Sequence, residues 1–304
     1  MRKVTRVRPL RALVRRARAR GESIGFVPTM GALHEGHVSL IRRARRDHDR
    51  VAVSVFVNPL QFGPREDYAR YPRDLTRDAR LCRAAGCDWL FHPSARTLYP
   101  PGSTTRIRAG AAARRWEGSF RPGHFDGVAT VVLKLLELVR PDTLYLGQKD
   151  AQQARVVADM LRDLDVPVRL AVCPTVREPD GLAMSSRNVY LRSEERARAA
   201  GIRRALLAGR DAARRGVRSG GGILRAARAT LRREARPDRV DYLALVDPAT
   251  FQPIPRLAGR GLLIAALRIG RTRLIDNIAV AAPRARRART AARRARRRKG
   301  RERP

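Results

Sequence analysis

Short apolar, β-branched runs at residues 24–27 and 51–57 flank a stretch in which Val38, Leu40, Ile41 and Ala44 recur at helical spacing. This pattern predicts a strand, a helix and a second strand in succession. The alternation continues. Residues 74–85 read as a helix, 89–91 as a short strand, and Val128, Val131, Val132, Leu135 and Val139 as one apolar helical face ended by Pro141. Residues 144–146, 151–164 and 168–172 then read as strand, helix and strand. Repeated alternation of this kind implies an α/β fold with a Rossmann-like, doubly wound parallel sheet, covered on both faces and binding ligands at the carboxyl ends of its strands.

Beyond the loop at residues 174–188 the pattern changes. Two arginine-rich helical stretches, 193–215 and 223–235, are separated by Gly220, Gly221 and Gly222, and strands follow near 240–246, 262–269 and 274–278. The expected organisation is a larger domain over residues 1–176, a second, smaller α+β domain over 177–282, and an arginine- and alanine-rich tail over 283–304. A block of like charges repels itself, so this basic C-terminal tail is expected to be disordered.

Composition narrows the classes. A chain of 304 residues that is 43% hydrophobic can bury a sizeable core. Its longest apolar stretches, 131–139 and 261–267, fall short of the roughly 18–20 residues needed to span a bilayer, so no membrane segment is expected. The arginine-punctuated first twenty residues lack the apolar centre of a secretory signal, which predicts a cytoplasmic protein. Cys82, Cys87 and Cys173 are odd in number and have no metal-ligand spacing, in keeping with a reducing compartment. The net charge of +38 suggests nucleic acid, yet only four of the 66 cationic side chains are lysines (Lys3, Lys134, Lys149 and Lys299). That is a bias toward arginine along the whole chain. A nucleic-acid footprint needs cations clustered on one face, and no specific nucleic-acid partner is expected.

Four segments carry candidate chemistry. In PTMGALHEGH a strand passes through a glycine-containing turn into a helix, whose unpaired amides and partial positive charge favour phosphate. His34 and His37 lie one turn apart there. A zinc-protease helix needs histidines four apart with a glutamate between them, and this spacing is one short. Two core histidines are the plain alternative; imidazoles stabilising charge on a phosphate are the functional one. In FVNPLQF, Asn58 and Gln61 offer amides suited to a neutral, hydroxyl-bearing ligand, although Asn58-Pro59 is also ordinary turn chemistry. In GQKDAQQ, Lys149 can sit on phosphate as a point charge, Asp150 can bind ribose or cap a helix, and Gln153 follows one turn later. In the loop containing Met184, Ser185, Ser186 and Arg187, two hydroxyls and a guanidinium suit β- and γ-phosphates. A transferase passing a nucleotide to a phosphate acceptor would share the histidine turn and the serine loop, but would call for cations where Asn58, Gln61 and Gln153 stand.

Taken together, PTMGALHEGH, FVNPLQF, EDYARYPRD, EGSFRPGHFDGVATVV, GQKDAQQ and PTVREPDGLAMSSRN, in this order and without large insertions, resemble the pantothenate synthetases (pantoate-β-alanine ligases). These belong to the nucleotidyltransferase superfamily with the HIGH-type motif. The resemblance implies an AMP-forming ligase that joins (R)-pantoate to β-alanine through a pantoyl-adenylate, with ATP as co-substrate, Mg2+, and a homodimeric assembly. It implies ATP along Met30, Gly31, Ala32, Leu33, His34, Glu35, Gly36 and His37, along Gly147, Gln148, Lys149 and Asp150, and at Val176, Met184, Ser185, Ser186 and Arg187. It places pantoate on Gln61 and Gln153, Gln61 also near β-alanine, and makes His37 a proton donor. Gln148 departs from the glutamate common in the family.

Overall fold

The structure is a computed structural model and describes residues 1–64 and 66–283. The predicted tail, from residue 284 on, lies outside the described residues.

The chain begins with β1 (Arg2–Val4) and α1 (Val7–Ala19), followed by β2 (Ile24–Thr29), α2 (Glu35–Asp47), β3 (Arg50–Val55), α3 (Leu75–Ala84) and β4 (Trp89–Phe91). Next come two short helices, α4 (Ala95–Leu98) and α5 (Glu117–Phe120), then α6 (His124–Val139), β5 (Thr143–Gly147), α7 (Ala151–Asp163) and β6 (Arg169–Cys173). The six strands form one sheet in the order β1-β4-β3-β2-β5-β6, with every pair parallel. From β2 the chain winds outward through β3, then returns across β2 to β5. The loops after β2 and β5 therefore diverge, and the crevice between them is where a doubly wound sheet binds ligands.

Successive strand residues feed opposite faces. Phe26 and Leu144 pack with Leu10, Val14 and Ala17 of α1 and with Val128, Val132 and Leu135 of α6. Their neighbours Val27 and Tyr145 pack on the other face with Val38, Ile41 and Ala44 of α2 and Ala79 and Cys82 of α3. This alternation is the period of two expected of a strand covered on both sides.

The rest of the chain forms α8 (Ser193–Ala199), α9 (Gly201–Arg214) and α10 (Gly220–Thr230), a π-helical turn (Leu231–Ala235), and β7 (Arg239–Val246), β8 (Arg260–Ile269) and β9 (Thr272–Ala281). The three strands pair antiparallel in chain order. One face carries a core of its own, in which Leu206, Ile223, Leu263 and Leu267 are buried.

Two elements are added to the expected fold and one expectation is corrected. The sheet gains β1 as an edge strand and α1 as a cover, because Leu10, Val14 and Ala17 form a buried stripe hidden among arginines. The single helix expected over 193–215 breaks at Ala200. Gly201 lies so close to the π-helical turn that a Cβ there would be 2.6 Å from the Ala235 nitrogen, which fixes where α9 starts.

Candidate functional site

The turn after β2 is built from backbone conformations that need support. Gly31 has φ +85° and Ala32 has φ +50°; a left-handed non-glycine residue costs roughly 1–2 kcal/mol. Asp78 of α3, only 1% exposed, supplies the support by accepting from Ala32 N (2.9 Å) and Leu33 N (2.8 Å). A Cβ at position 31 would lie 2.9 Å from the Asp78 carboxylate. Arg77 donates to the Leu33 carbonyl at 2.9 Å. The sequence reading missed Asp78. Its signal is an acid on the face of α3 that also buries Ala79 and Cys82.

His34 caps α2, its Nδ1 accepting from Gly36 N at 3.1 Å, while His37 Nδ1 accepts from His34 N at 3.4 Å. The rings stand 4.1 Å apart, tilted by 41°. Burial, and then the charges of His37 and Lys149, pull the pKa of His34 down to about 3. Burial and Lys149 pull His37 down to about 4. Both imidazoles are therefore neutral near pH 7. Since each Nδ1 accepts, each proton is assigned to Nε2, leaving two neutral N–H donors fixed by the backbone. Gly36 makes room for this arrangement, because a Cβ there would meet the His34 ring at 2.8 Å.

The histidine turn faces a cavity of about 210 Å³ lined also by Met30, Gln61, Gly147, Lys149, Asp150, Gln153, Val176, Met184, Ser185, Ser186 and Arg187. It joins a second lobe of about 460 Å³, with Met30, Gln61, Lys149, Asp150, Gln153, Ser185 and Arg187 common to both. The cleft thus brings together the four segments singled out in the sequence. Not every residue in them faces it. Gly31, Ala32 and Leu33 shape the turn from behind, and the exposed Glu35 side chain pairs with Arg42. Gln148 turns toward β9, where it donates to Asn277 Oδ1 at 3.3 Å, and Asn277 Nδ2 donates to the carbonyls of Gln148 (2.8 Å) and Lys149 (3.0 Å).

Asn58 serves the site indirectly. It is 1% exposed, and its amide donates to Gln61 Oε1 (3.1 Å) and the Gly127 carbonyl (3.0 Å) while accepting from Leu60 N (3.3 Å) and Tyr99 OH (2.9 Å). Its hydrogen-bonding capacity is spent inside the protein, so the expected substrate contact at Asn58 becomes the orientation of Gln61. Gln61 in turn points its Nε2 at Met30 Sδ, 3.2 Å away.

Lys149 Nζ lies 3.6 Å from Asp150 Oδ1. Asp150 makes no side-chain cap on α7, which disposes of that reading. Ser186 Oγ donates to the Ala32 carbonyl at 3.1 Å, linking the serine loop to the histidine turn, and Ser185 Oγ accepts from Arg187 N at 3.3 Å. Among the described residues no three His, Cys, Asp or Glu side chains gather into a metal cage. Magnesium on a nucleotide is held mainly by phosphates and one or two carboxylates. Asp150, its side chain 47% exposed at the mouth of the cleft, fits that limited role.

The larger lobe ends in contacts between the two sheets' surroundings that the sequence did not suggest. Glu117 of α5 accepts from Arg273 of β9 at 2.8 and 2.6 Å and from Tyr242 OH at 2.9 Å, and Trp116 Nε1 donates to the Phe251 carbonyl at 2.8 Å. Burial alone would raise the Glu117 pKa, but the Arg273 fork more than reverses this and holds it below the usual carboxylate range. These partners lie more than a hundred residues apart.

A family model described as pantoate-beta-alanine ligase matches residues 2–279. Pantothenate synthetase of Geobacillus kaustophilus is 50% identical over 275 residues, covering 90% of this chain and 91% of that one. The crystal structure of pantothenate synthetase from Thermus thermophilus superposes with a TM-score of 0.87 at 51% identity, covering 91% of this chain and 99% of that one. The pantoate-beta-alanine ligase of Francisella tularensis, complexed with beta-gamma ATP and beta-alanine, does so with a TM-score of 0.75 at 36% identity, covering 91% and 97%. The chain belongs to the pantoate-β-alanine ligase family.

Proposed function

We propose that the cleft performs the family reaction, ATP-dependent condensation of (R)-pantoate with β-alanine to pantothenate, AMP and pyrophosphate through a pantoyl-adenylate, with the following division of labour. Gln61 and Gln153 hold pantoate through its hydroxyls and carboxylate. A pantoate carboxylate oxygen attacks the α-phosphorus of ATP; the new P–O bond forms as the bond to pyrophosphate breaks. His34 and His37 donate from Nε2 to the crowded α-phosphate, a role that neutral donors fill without adding or losing a proton. Lys149, Ser185, Ser186 and Arg187 hold the departing pyrophosphate. Mg2+, when bound beside Asp150, would neutralise phosphate charge. The amine of β-alanine then attacks the activated carbonyl, loses a proton, and the C–O bond to AMP breaks as the amide forms.

The observation that carries this reading is the gathering, in one cleft, of two backbone-fixed neutral imidazoles with Lys149 and with the amide side chains of Gln61 and Gln153. A phosphate acceptor would need cations where Gln61 and Gln153 stand. The mixed anhydride has to be kept from water, and we assign that shielding to the Met184 to Arg187 loop together with residues 177–282 acting as a lid over the catalytic domain, residues 1–176. Among the described residues no helix is long and apolar enough to cross a membrane. The three free cysteines fit a reducing, cytoplasmic compartment, and the family resemblance supports a homodimer.

Labelling tests the adenylate directly. With pantoate carrying 18O in its carboxylate, one labelled oxygen is expected in AMP. Label appearing instead in inorganic phosphate, in pyrophosphate or in water would rule the adenylate out.

A further inference from the structure

We propose that Glu66 and Asp67, adjacent carboxylates in the segment between residues 59–61 and α3, are positioning residues that set the two substrate-binding side chains separately: Asp67 orients Arg187 for polyphosphate, and Glu66, acting through Arg121 and His124, fixes Gln61 for pantoate. This rests on the roles given above to Arg187 and Gln61.

Asp67 takes one edge of the Arg187 guanidinium, Nε at 2.9 Å and Nη2 at 2.8 Å. The Tyr71 ring lies 5.8 Å from the guanidinium carbon. A guanidinium has five N–H donors in a rigid fork. With two taken, the opposite edge, Nη1 and the second Nη2 proton, stays available for a phosphate. Arg187 lines both lobes of the cleft, whereas Asp67 lines only the larger. The carboxylate thus grips Arg187 from the side away from the proposed nucleotide lobe.

Glu66 grips Arg121 in the same way, Nε and Nη2 each at 2.7 Å. Arg121 Nη1 then donates to His124 Nε2 at 3.0 Å, and its Nη2 reaches the Gln61 carbonyl at 3.3 Å. His124 Nδ1 is 2.8 Å from that carbonyl, which can only accept, so the ring carries its proton on Nδ1 and offers a lone pair at Nε2 to Arg121. Burial, then Arg121, holds the His124 pKa at about 4, so the ring is neutral near pH 7 and the direction of each hydrogen bond is set. Asn58 grips the Gln61 side chain from the other end. Gln61 is therefore fixed at both its backbone and its amide.

Exposed ion pairs contribute little, but the side chains of these two pairs are only 13–28% exposed. The plain alternative is that both pairs merely staple one segment down. Because Glu66 and Asp67 are sequence neighbours, a staple would loosen the same backbone in either variant and disturb both substrates together. Positioning predicts separate effects.

The experiment is ATP-pyrophosphate exchange by the full chain, with KM measured for ATP and for pantoate. Asp67→Asn is expected to raise KM for ATP about tenfold, the order of a lost charge-assisted hydrogen bond, and to leave KM for pantoate unchanged. Glu66→Gln is expected to do the reverse. Asp67→Glu should restore part of the loss, and in an Arg187→Lys background, which has no two-point fork, Asp67→Asn should add nothing further. Should either isosteric variant melt below the assay temperature, Glu66→Ser and Asp67→Ser, which also remove the carboxylate, carry the same comparison. Parallel rises in both KM values, or no change in either, would overturn the proposal. If instead Arg187→Ala or Gln61→Ala leaves the KM of its own substrate unchanged, the underlying role assignment is what fails.

Discussion

The turn at residues 30–37 and the loop at residues 184–187 face the same cavity, yet different forces hold them. The turn is braced from within the core: Asp78 is buried under two of its amides, Gly31 is wedged against Asp78 and Val55, and Leu33 is fully buried. The loop is held by polar contacts, the Arg187 to Asp67 pair, one hydroxyl to the Ala32 carbonyl, and Met184 N to the Val176 carbonyl at 3.1 Å. Preorganised donors lower a barrier because they need no rearrangement as charge develops. A segment held by such polar contacts, with the Nη1 edge of Arg187 left open to phosphate, suits one that admits ATP and releases pyrophosphate. In the proposed mechanism this difference suits transition-state stabilisation at the braced turn and substrate passage at the loop.

The largest effect is expected at the turn. His37→Ala should slow ATP-pyrophosphate exchange by at least about a hundredfold, as for loss of one preorganised donor; near-normal exchange would remove His37 from adenylation. Gly36→Ala separates the turn's geometry from its stability. Alanine favours a helix interior over glycine by about 1 kcal/mol, but its Cβ would push the His34 ring. Exchange should fall by about tenfold or more, a smaller loss than removing a donor outright, with the melting temperature unchanged or raised. A variant that retains full rate would show that the ring's fixed position is unimportant.

A pH series probes the neutral imidazoles. His34, His37 and His124 have folded pKa values of about 3, 4 and 4, below the roughly 6.5 of free histidine. As pH falls the unfolded chain takes up protons first. Their contribution to stability is thus complete above about pH 6.5 and is lost as pH drops from there toward 4. Denaturation midpoints should fall over that window, and His37→Gln should flatten the fall; an unaltered slope would mean that His37 is not held neutral. The smallest effect is expected at Gln148, which contacts β9 and not the cavity. Gln148→Glu would set a carboxylate against Asn277 Oδ1 and should change KM for ATP no more than about tenfold, the scale of one misplaced hydrogen bond. A larger loss would tie this contact to nucleotide binding.

Much of this arrangement was legible along the chain. The periodicities of two and 3.6 located β2, α2, β3 and β5, and the four chemistry-bearing segments fall where the doubly wound topology opens. Less legible was whatever depends on long-range pairing. Nothing local marks Glu117 as the partner of Arg273, or Asp78 as the acceptor for the turn's amides, because a carboxylate's partner is set by the fold. The α1 stripe was obscured because only Leu10, Val14 and Ala17 carry it among many arginines. Asn58 is the opposite case: an amide of the right type in the right segment, lining the cavity, whose hydrogen bonds are nonetheless all made inside the protein.

Pyrophosphate release from ATP and magnesium tests the account most directly, with purified protein given pantoate alone, pantoate with β-alanine, or neither. The account predicts release only where pantoate is present, and amide only when β-alanine is added. Release that ignores pantoate, or that requires β-alanine from the outset, would contradict an adenylate built at the histidine turn before the amine arrives.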